Sequence, residues 1–135
     1  PECRLLYFRR KVFMTTSITS QITFLPCLDL NRSEHFYQEI LGLSLVLDQG
    51  KCRIYSVSAG AYIGLCQRTE PFSSEGCILT LVTVDVDGWA KEIERKGWPI
   101  AVQPRDNEVF QIRQCFVRDP DEHLIEIQRF LHPFP

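Results

Sequence analysis

The stretch CFVRDPDEHLIEIQ, residues 115–128, sets one carboxylate, Glu126, between Ile125 and Ile127. An acid in such an apolar run has three kinds of chemistry open to it. It can orient a polar or cationic group of a bound molecule, pass a proton as a general acid or base, or supply one ligand to a metal ion. The structural alternative is a carboxylate at a damp strand end, paired with Arg113, Arg118 or Arg129. The other reactive side chains are scattered. Six cysteines, Cys3, Cys27, Cys52, Cys66, Cys77 and Cys115, include no CxxC pair and no Cys/His cluster with zinc spacing. His35 falls in a helical stretch and His123 in a turn.

Two similar segments must position these residues. TFLPCLDLNRSEHFYQEILGLSLVL (23–47) and TLVTVDVDGWAKEIERKGWPIAV (80–102) each run from a β-type apolar stretch through an Asp (Asp29, Asp85) and a helical stretch to a Gly (Gly42, Gly97). The copies are offset by about 56 residues, which makes an internal duplication the first fact about the fold. Asp29 or Asn31 caps the first helix, with Phe36, Tyr37, Ile40 and Leu41 on its apolar face. Asp87 is the expected cap of the second, with Trp89, Ala90 and Ile93 inward. Three strand-like runs follow each helix: LSLVL, CRIYSV and AYIGLCQ in the first half, then PIAVQ, IRQCFVR and LIEIQ in the second. RTEPFSSEG, residues 68–76, has the composition of a surface connection.

Composition narrows the setting. With 135 residues, 44% hydrophobic and 24% charged, the chain suits one globular domain, or two small halves sharing a core. A net charge of -2 and a pI near 5.9 offer no footprint for nucleic acid or an anionic membrane. No apolar run approaches the roughly 18 residues of a membrane helix. The opening PECRLLYFRRKVF carries four basic residues and one acid, and Met14 follows it. Residues 1–13 are read as an appended or upstream extension and not as a targeting segment. Cys66, Cys77 and Cys115 lie in or beside β-type runs, so the cysteines are expected to be reduced and structural, in a cytoplasmic protein.

The doubled βαβββ order resembles the glyoxalase, bleomycin-resistance and extradiol-dioxygenase superfamily, also called the vicinal oxygen chelate superfamily. Its carriers are DLNRSEHFYQEILGL after the first strand and VRDPDEHLIEI before the end, and the likeness covers roughly residues 20–130. The resemblance implies an α+β fold of two βαβββ modules, whose mixed curved sheets form a cup. The expected boundaries are an extension over 1–19, modules over 20–67 and 77–130, the 68–76 linker, and a tail over 131–135. Metal-dependent members hold an ion near the start of each module's first strand and on its last strand. Glu126 stands at the last-strand place of the second module. The other places fall on Ile22, Gly64 and Ile78, with Gln21 and Cys77 one residue away. The expectation is therefore no metal and no other cofactor. A divalent ion at Glu126, or a soft-metal thiolate site of Cys77 with Cys66, is the minority reading; a small buried Cys77 is favoured.

Alternation puts Phe24, Pro26, Tyr62, Gly64, Cys66, Ile78, Thr80 and Val82 on the concave faces. Phe110 or Gln111, in RDNEVFQ (105–111), lies where this family carries a loop over the cup mouth. Glu122 stands where the family's turn has Gly, which suggests a turn of another shape. The expected ligand-binding set is Glu126, Phe24, Tyr62, Gly64, Ile78, Thr80 and Phe110. The leading expectation is a metal-independent protein that binds a drug-like or aromatic small molecule, as a cytoplasmic homodimer without nucleic-acid or membrane partners. The competing one is a lyase, isomerase or dioxygenase that depends on a metal or on Glu126.

Overall fold

The computed structural model describes residues 17–135; Cys3 and the basic opening arm lie outside the described residues. Two four-stranded sheets carry the fold. The first comprises β1 (Gln21–Cys27), β2 (Ser44–Asp48), β3 (Cys52–Ser58) and β4 (Ala61–Gln67), in the order β1-β4-β3-β2. The second comprises β5 (Ile78–Val82), β6 (Val102–Asn107), β7 (Ile112–Arg118) and β8 (Leu124–Phe130), in the order β5-β8-β7-β6. In each sheet the first strand runs parallel to the last and the remaining pairs are antiparallel. This is the α+β, twice-repeated βαβββ architecture that the sequence pattern implies. The sixth strand starts later than expected: PIAVQ contributes only its end, and Arg105–Asn107, expected in the mouth loop, are strand.

The helix of the first half begins as α1 (Leu30–Glu34), capped by Asp29, whose carboxylate accepts from the backbone N–H of Asn31 and Arg32. It continues as a wider π-helical turn, His35–Ile40, and ends at Gly42, whose φ of 70° supplies the left-handed stop. The second helix, α2 (Val86–Arg95), is capped by Asp85 and not by the expected Asp87. Asp87 sits in the first turn, where an acid complements the helix dipole, and its side chain takes Arg113 instead.

One face of each sheet packs on these helices. Leu25, Cys27, Tyr55, Ile63 and Leu65 from the first sheet and Cys115, Val117, Ile125 and Ile127 from the second share one core with Phe36, Tyr37, Ile40, Val86, Ala90 and Ile93. Among the described residues, no helix covers the opposite faces. Strand alternation therefore turns Glu126 away from the core that Ile125 and Ile127 enter.

The turn between β7 and β8 joins the halves through a buried polar network. The Tyr37 hydroxyl donates to Asp119 Oδ2 at 2.8 Å, while Asp119 Oδ1 accepts from the backbone N–H of Asp121 and His123. Asp121 in turn accepts from Arg32, Ser33 and the Leu28 N–H. His123 bonds the Pro26 carbonyl oxygen through Nε2 at 2.6 Å and stacks on Phe72. From the other side, Lys96 Nζ donates to the carbonyls of Glu39 and Ile40 at the end of the first helix. Glu122 has φ 70°, so this turn keeps the left-handed shape that the expectation denied it, with a non-glycine residue bearing the strain.

The cysteines depart from expectation. Cys52 and Cys66, cross-strand neighbours on β3 and β4, form a disulfide. Among the described residues Cys27 and Cys115 are free and buried, and Cys77 is free but exposed, not buried as expected. Burial pushes the Cys115 thiol up to about 11 and also raises Cys27, which keeps both as inert thiols at neutral pH.

Candidate functional site

The site grows from the open face of the second sheet. The parallel pairing of β5 with β8 sets Thr80 opposite Glu126, and the antiparallel pairing of β7 with β8 sets Phe116 on its other side. The Thr80 hydroxyl donates to Glu126 Oε2 at 2.9 Å, the one hydrogen bond this carboxylate accepts within the described protein. Glu126 is 8% exposed, and what it shows opens on a cavity of about 510 Å³.

The cavity has an apolar lining of Ile78, Phe110, Ile112, Phe116 and Phe130, and a polar one of Asn107, Gln114, Glu126, Gln128 and His132. Gln114 and Gln128 are cross-strand partners and are slightly more buried than Glu126. The rim is built by local hydrogen bonding. Asn107 Oδ1 accepts from the N–H groups of Val109 and Phe110, closing a side-chain turn that holds Phe110 at the mouth. Gln111, at φ 51°, completes the turn, and its carbonyl accepts from Leu131 N–H, tying the tail to the same rim.

The arginine pairs of the structural alternative do not form with Glu126 among the described residues. Arg113 and Arg129 are out of phase with it along β7 and β8, so both leave from the helix side of the sheet. Arg113 is held by Asp87 and Asp106, and Arg118 by Glu122. Two hydrogen-bonded carboxylates hold the Arg113 guanidinium in its charged form, and the same contact lowers Asp87.

The expected ligand-binding set splits between the sheets. Glu126, Ile78 and Phe110 line the cavity, and Thr80 anchors the carboxylate. Phe24, Tyr62 and Gly64 lie on the open face of the first sheet, where Ile22 pairs with Tyr62 and Phe24 with Gly64. A Cβ on Gly64 would stand 2.4 Å from the Phe24 ring, so an aromatic ring covers the place where the family's metal-dependent members hold an acid. Strand alternation from Glu126 could have added Gln128 and Phe130 on β8, and Ile112 and Gln114 beside Phe116 on β7. No such signal marks His132, which lies past the last strand.

The donor set does not fit a divalent ion. Beside Glu126 the cavity offers the Thr80 hydroxyl, the carboxamides of Asn107, Gln114 and Gln128 and one imidazole, His132, whereas a catalytic ion takes three or more carboxylate, imidazole or thiolate ligands. Among the described residues no three His, Cys, Asp or Glu side chains are gathered to hold one. The thiolate alternative fails on its own terms, because Cys66 is bonded to Cys52 and Cys77 lies beside the other sheet.

The family model for the glyoxalase/bleomycin resistance protein/dioxygenase superfamily matches residues 19–127. The chain belongs to that superfamily. Among curated proteins it is similar to the uncharacterised protein YraH of Bacillus subtilis, with 28% identity over 118 residues, covering 76% of this chain and 91% of that one. Among solved structures it is similar to a glyoxalase/bleomycin resistance protein/dioxygenase from Nocardioides, with TM-score 0.72 and 18% identity, covering 96% of this chain and 94% of the other. It is also similar to lactoylglutathione lyase from Agrobacterium tumefaciens, with TM-score 0.67 and 18% identity, covering 84% and 95%. At that identity the two structures share the superfamily fold with this chain, and the fold alone hosts several chemistries. No helix among the described residues is long and apolar enough to cross a membrane.

Proposed function

We propose that this superfamily member binds a drug-sized, largely apolar or aromatic molecule without a metal ion, in the cavity beside Glu126. One observation carries the reading: a cavity of about 510 Å³, half of whose lining residues are phenylalanine or isoleucine, holds one carboxylate and one imidazole, short of the three ligands a catalytic ion takes. Pockets of this size with an apolar lining and a few convergent polar groups are the usual form of small-molecule sites. Phe110, Phe116 and Phe130 supply contact area, and Glu126, set by Thr80, fixes orientation.

The working unit in this reading is a homodimer in the cytoplasm. Its support is the open face of the first sheet, where Ile22 and Phe24 are exposed, and that of the second, where Ile78 and Val82 are exposed. A second copy would cover such apolar surface. Light scattering of the purified protein should give twice the chain mass, and a monomer at working concentration would remove this part. The Cys52–Cys66 disulfide counts against the cytoplasmic part of this reading, since a reducing cytoplasm would keep both as thiols.

The test of the main reading is elemental analysis of the purified protein, combined with a thermal-shift screen of glycopeptide antibiotics, drug-sized aromatics and thiol conjugates. We expect substoichiometric metal and a stabilising hit that Phe116→Ala weakens. Stoichiometric nickel, iron, manganese or zinc lost on Glu126→Gln would overturn it in favour of a metal-dependent lyase, isomerase or dioxygenase.

A further inference from the structure

The charge balance of the cavity names a class of ligand, and this step rests on the small-molecule reading above. Its lining contains one carboxylate, one imidazole, His132, whose Nδ1 is taken by the Pro133 carbonyl, and neither lysine nor arginine. Thr80 satisfies Oε2 of that carboxylate, and Oε1 has no partner among the described residues. A hydroxyl carries no charge, and among the lining residues no lysine or arginine faces the open carboxylate oxygen.

The groups around Oε1 are consistent with a donor-bearing guest. The carboxamides of Gln114 and Gln128, mostly buried on the same face, make no hydrogen bond within the described protein. Their oxygens can accept N–H donors. Phe110, Phe116 and Phe130 present aromatic surface in the same cavity. Aromatic faces attract cations as well as apolar bodies.

We propose that the cavity selects an organic cation whose protonated nitrogen, as an ammonium or amidinium, docks on Glu126 Oε1. Its remaining N–H groups reach the Gln114 and Gln128 carboxamides, and its apolar body lies against the phenylalanines. No bond is made or broken. The guest supplies the counter-charge that no lysine or arginine of the lining provides.

The experiment is titration calorimetry of the full chain with three probes that share one body: 2-naphthylmethylammonium, 2-naphthylmethanol and 2-naphthoate. The ammonium should bind at least about tenfold more tightly than the alcohol, as a charge-assisted hydrogen bond to a buried carboxylate requires, and the carboxylate probe most weakly. Glu126→Gln should erase the gap between ammonium and alcohol. Glu126→Asp, which keeps the charge, should retain part of the gap. If the alcohol binds and responds to Phe116→Ala but the ammonium shows no advantage, the charge reading is overturned and the small-molecule reading stands. If none of the three binds, both are overturned.

Discussion

Phe24 lies over Gly64 at the place in the first sheet that corresponds to Thr80 beside Glu126 in the second. Both pairs join the first and last strands of their module in parallel register. The duplicated scaffold thus offers the same position twice, once filled by a ring and once by a carboxylate. Gly64→Ala should force the Phe24 ring, already 51% exposed, outward. Overpacking of this kind costs about 1–3 kcal/mol. Urea denaturation should show that loss in the wild-type background and much less in Phe24→Ala. Equal losses in both would mean that the ring does not occupy the place.

Thr80→Val removes the one internal donor to Glu126 while keeping side-chain shape. The expected loss is about 1.5–3 kcal/mol of stability, the range for a hydrogen bond to a charged group. Thr80→Ser should recover most of it. A valine variant as stable as wild type would mean that solvent serves Glu126 equally well.

Asp119 predicts a pH dependence. Burial raises its carboxyl above the usual value of 3.8, against the lowering effect of the Tyr37 hydrogen bond and of His123. The folded form therefore holds the proton more tightly than the unfolded chain. The stability this contributes is complete below 3.8 and is lost as pH rises through the elevated folded value. The wild-type advantage over Asp119→Asn, from urea midpoints across a pH series, should be greatest in acid and shrink on going toward neutral pH. A difference that grows with pH in that window would contradict the assignment.

Thiol labelling should separate the cysteines. Under native, non-reducing conditions Cys77 should react with iodoacetamide, with Cys27 and Cys115 protected and Cys52 and Cys66 unlabelled until reductant is added. Replacing Cys52 and Cys66 by serine should cost about 3 kcal/mol, the entropy of opening a loop with sequence separation 14. Rapid labelling of Cys52 in freshly prepared protein would show a reduced pair.

Period-two and period-3.6 patterns were enough to read most of the fold. AYIGLCQ and IRQCFVR are strands over the residues that alternation marks, and the two glycines that stop the helices have the left-handed φ that their sequence places suggest. Misreadings arose where one residue of phase or a distant partner decides. Asp85 and Asp87 are both capable caps, and only the path of the backbone and the pull of Arg113 select between them. Cys52 and Cys66 become neighbours through the register of β3 on β4, which neither strand shows alone. Glu126 was legible as an inward acid because its neighbours are apolar. Of the three arginines that the structural alternative offered it, Arg113 and Arg129 are out of phase with it, and Arg118, on its face, pairs with Glu122. The split of the ligand-binding set between two sheets depends on how the modules meet, which strand patterns do not encode.

The DPDEH turn has one more consequence. Its two aspartates and His123 grip the strand and helix of the opposite repeat, so each half of this duplicated chain completes the other's polar interior. A half severed within residues 68–76 would leave Asp119 and Tyr37 each without its complement. Descendants of one ancestral unit have thereby become obligate neighbours, and the chain should melt in a single cooperative step rather than repeat by repeat.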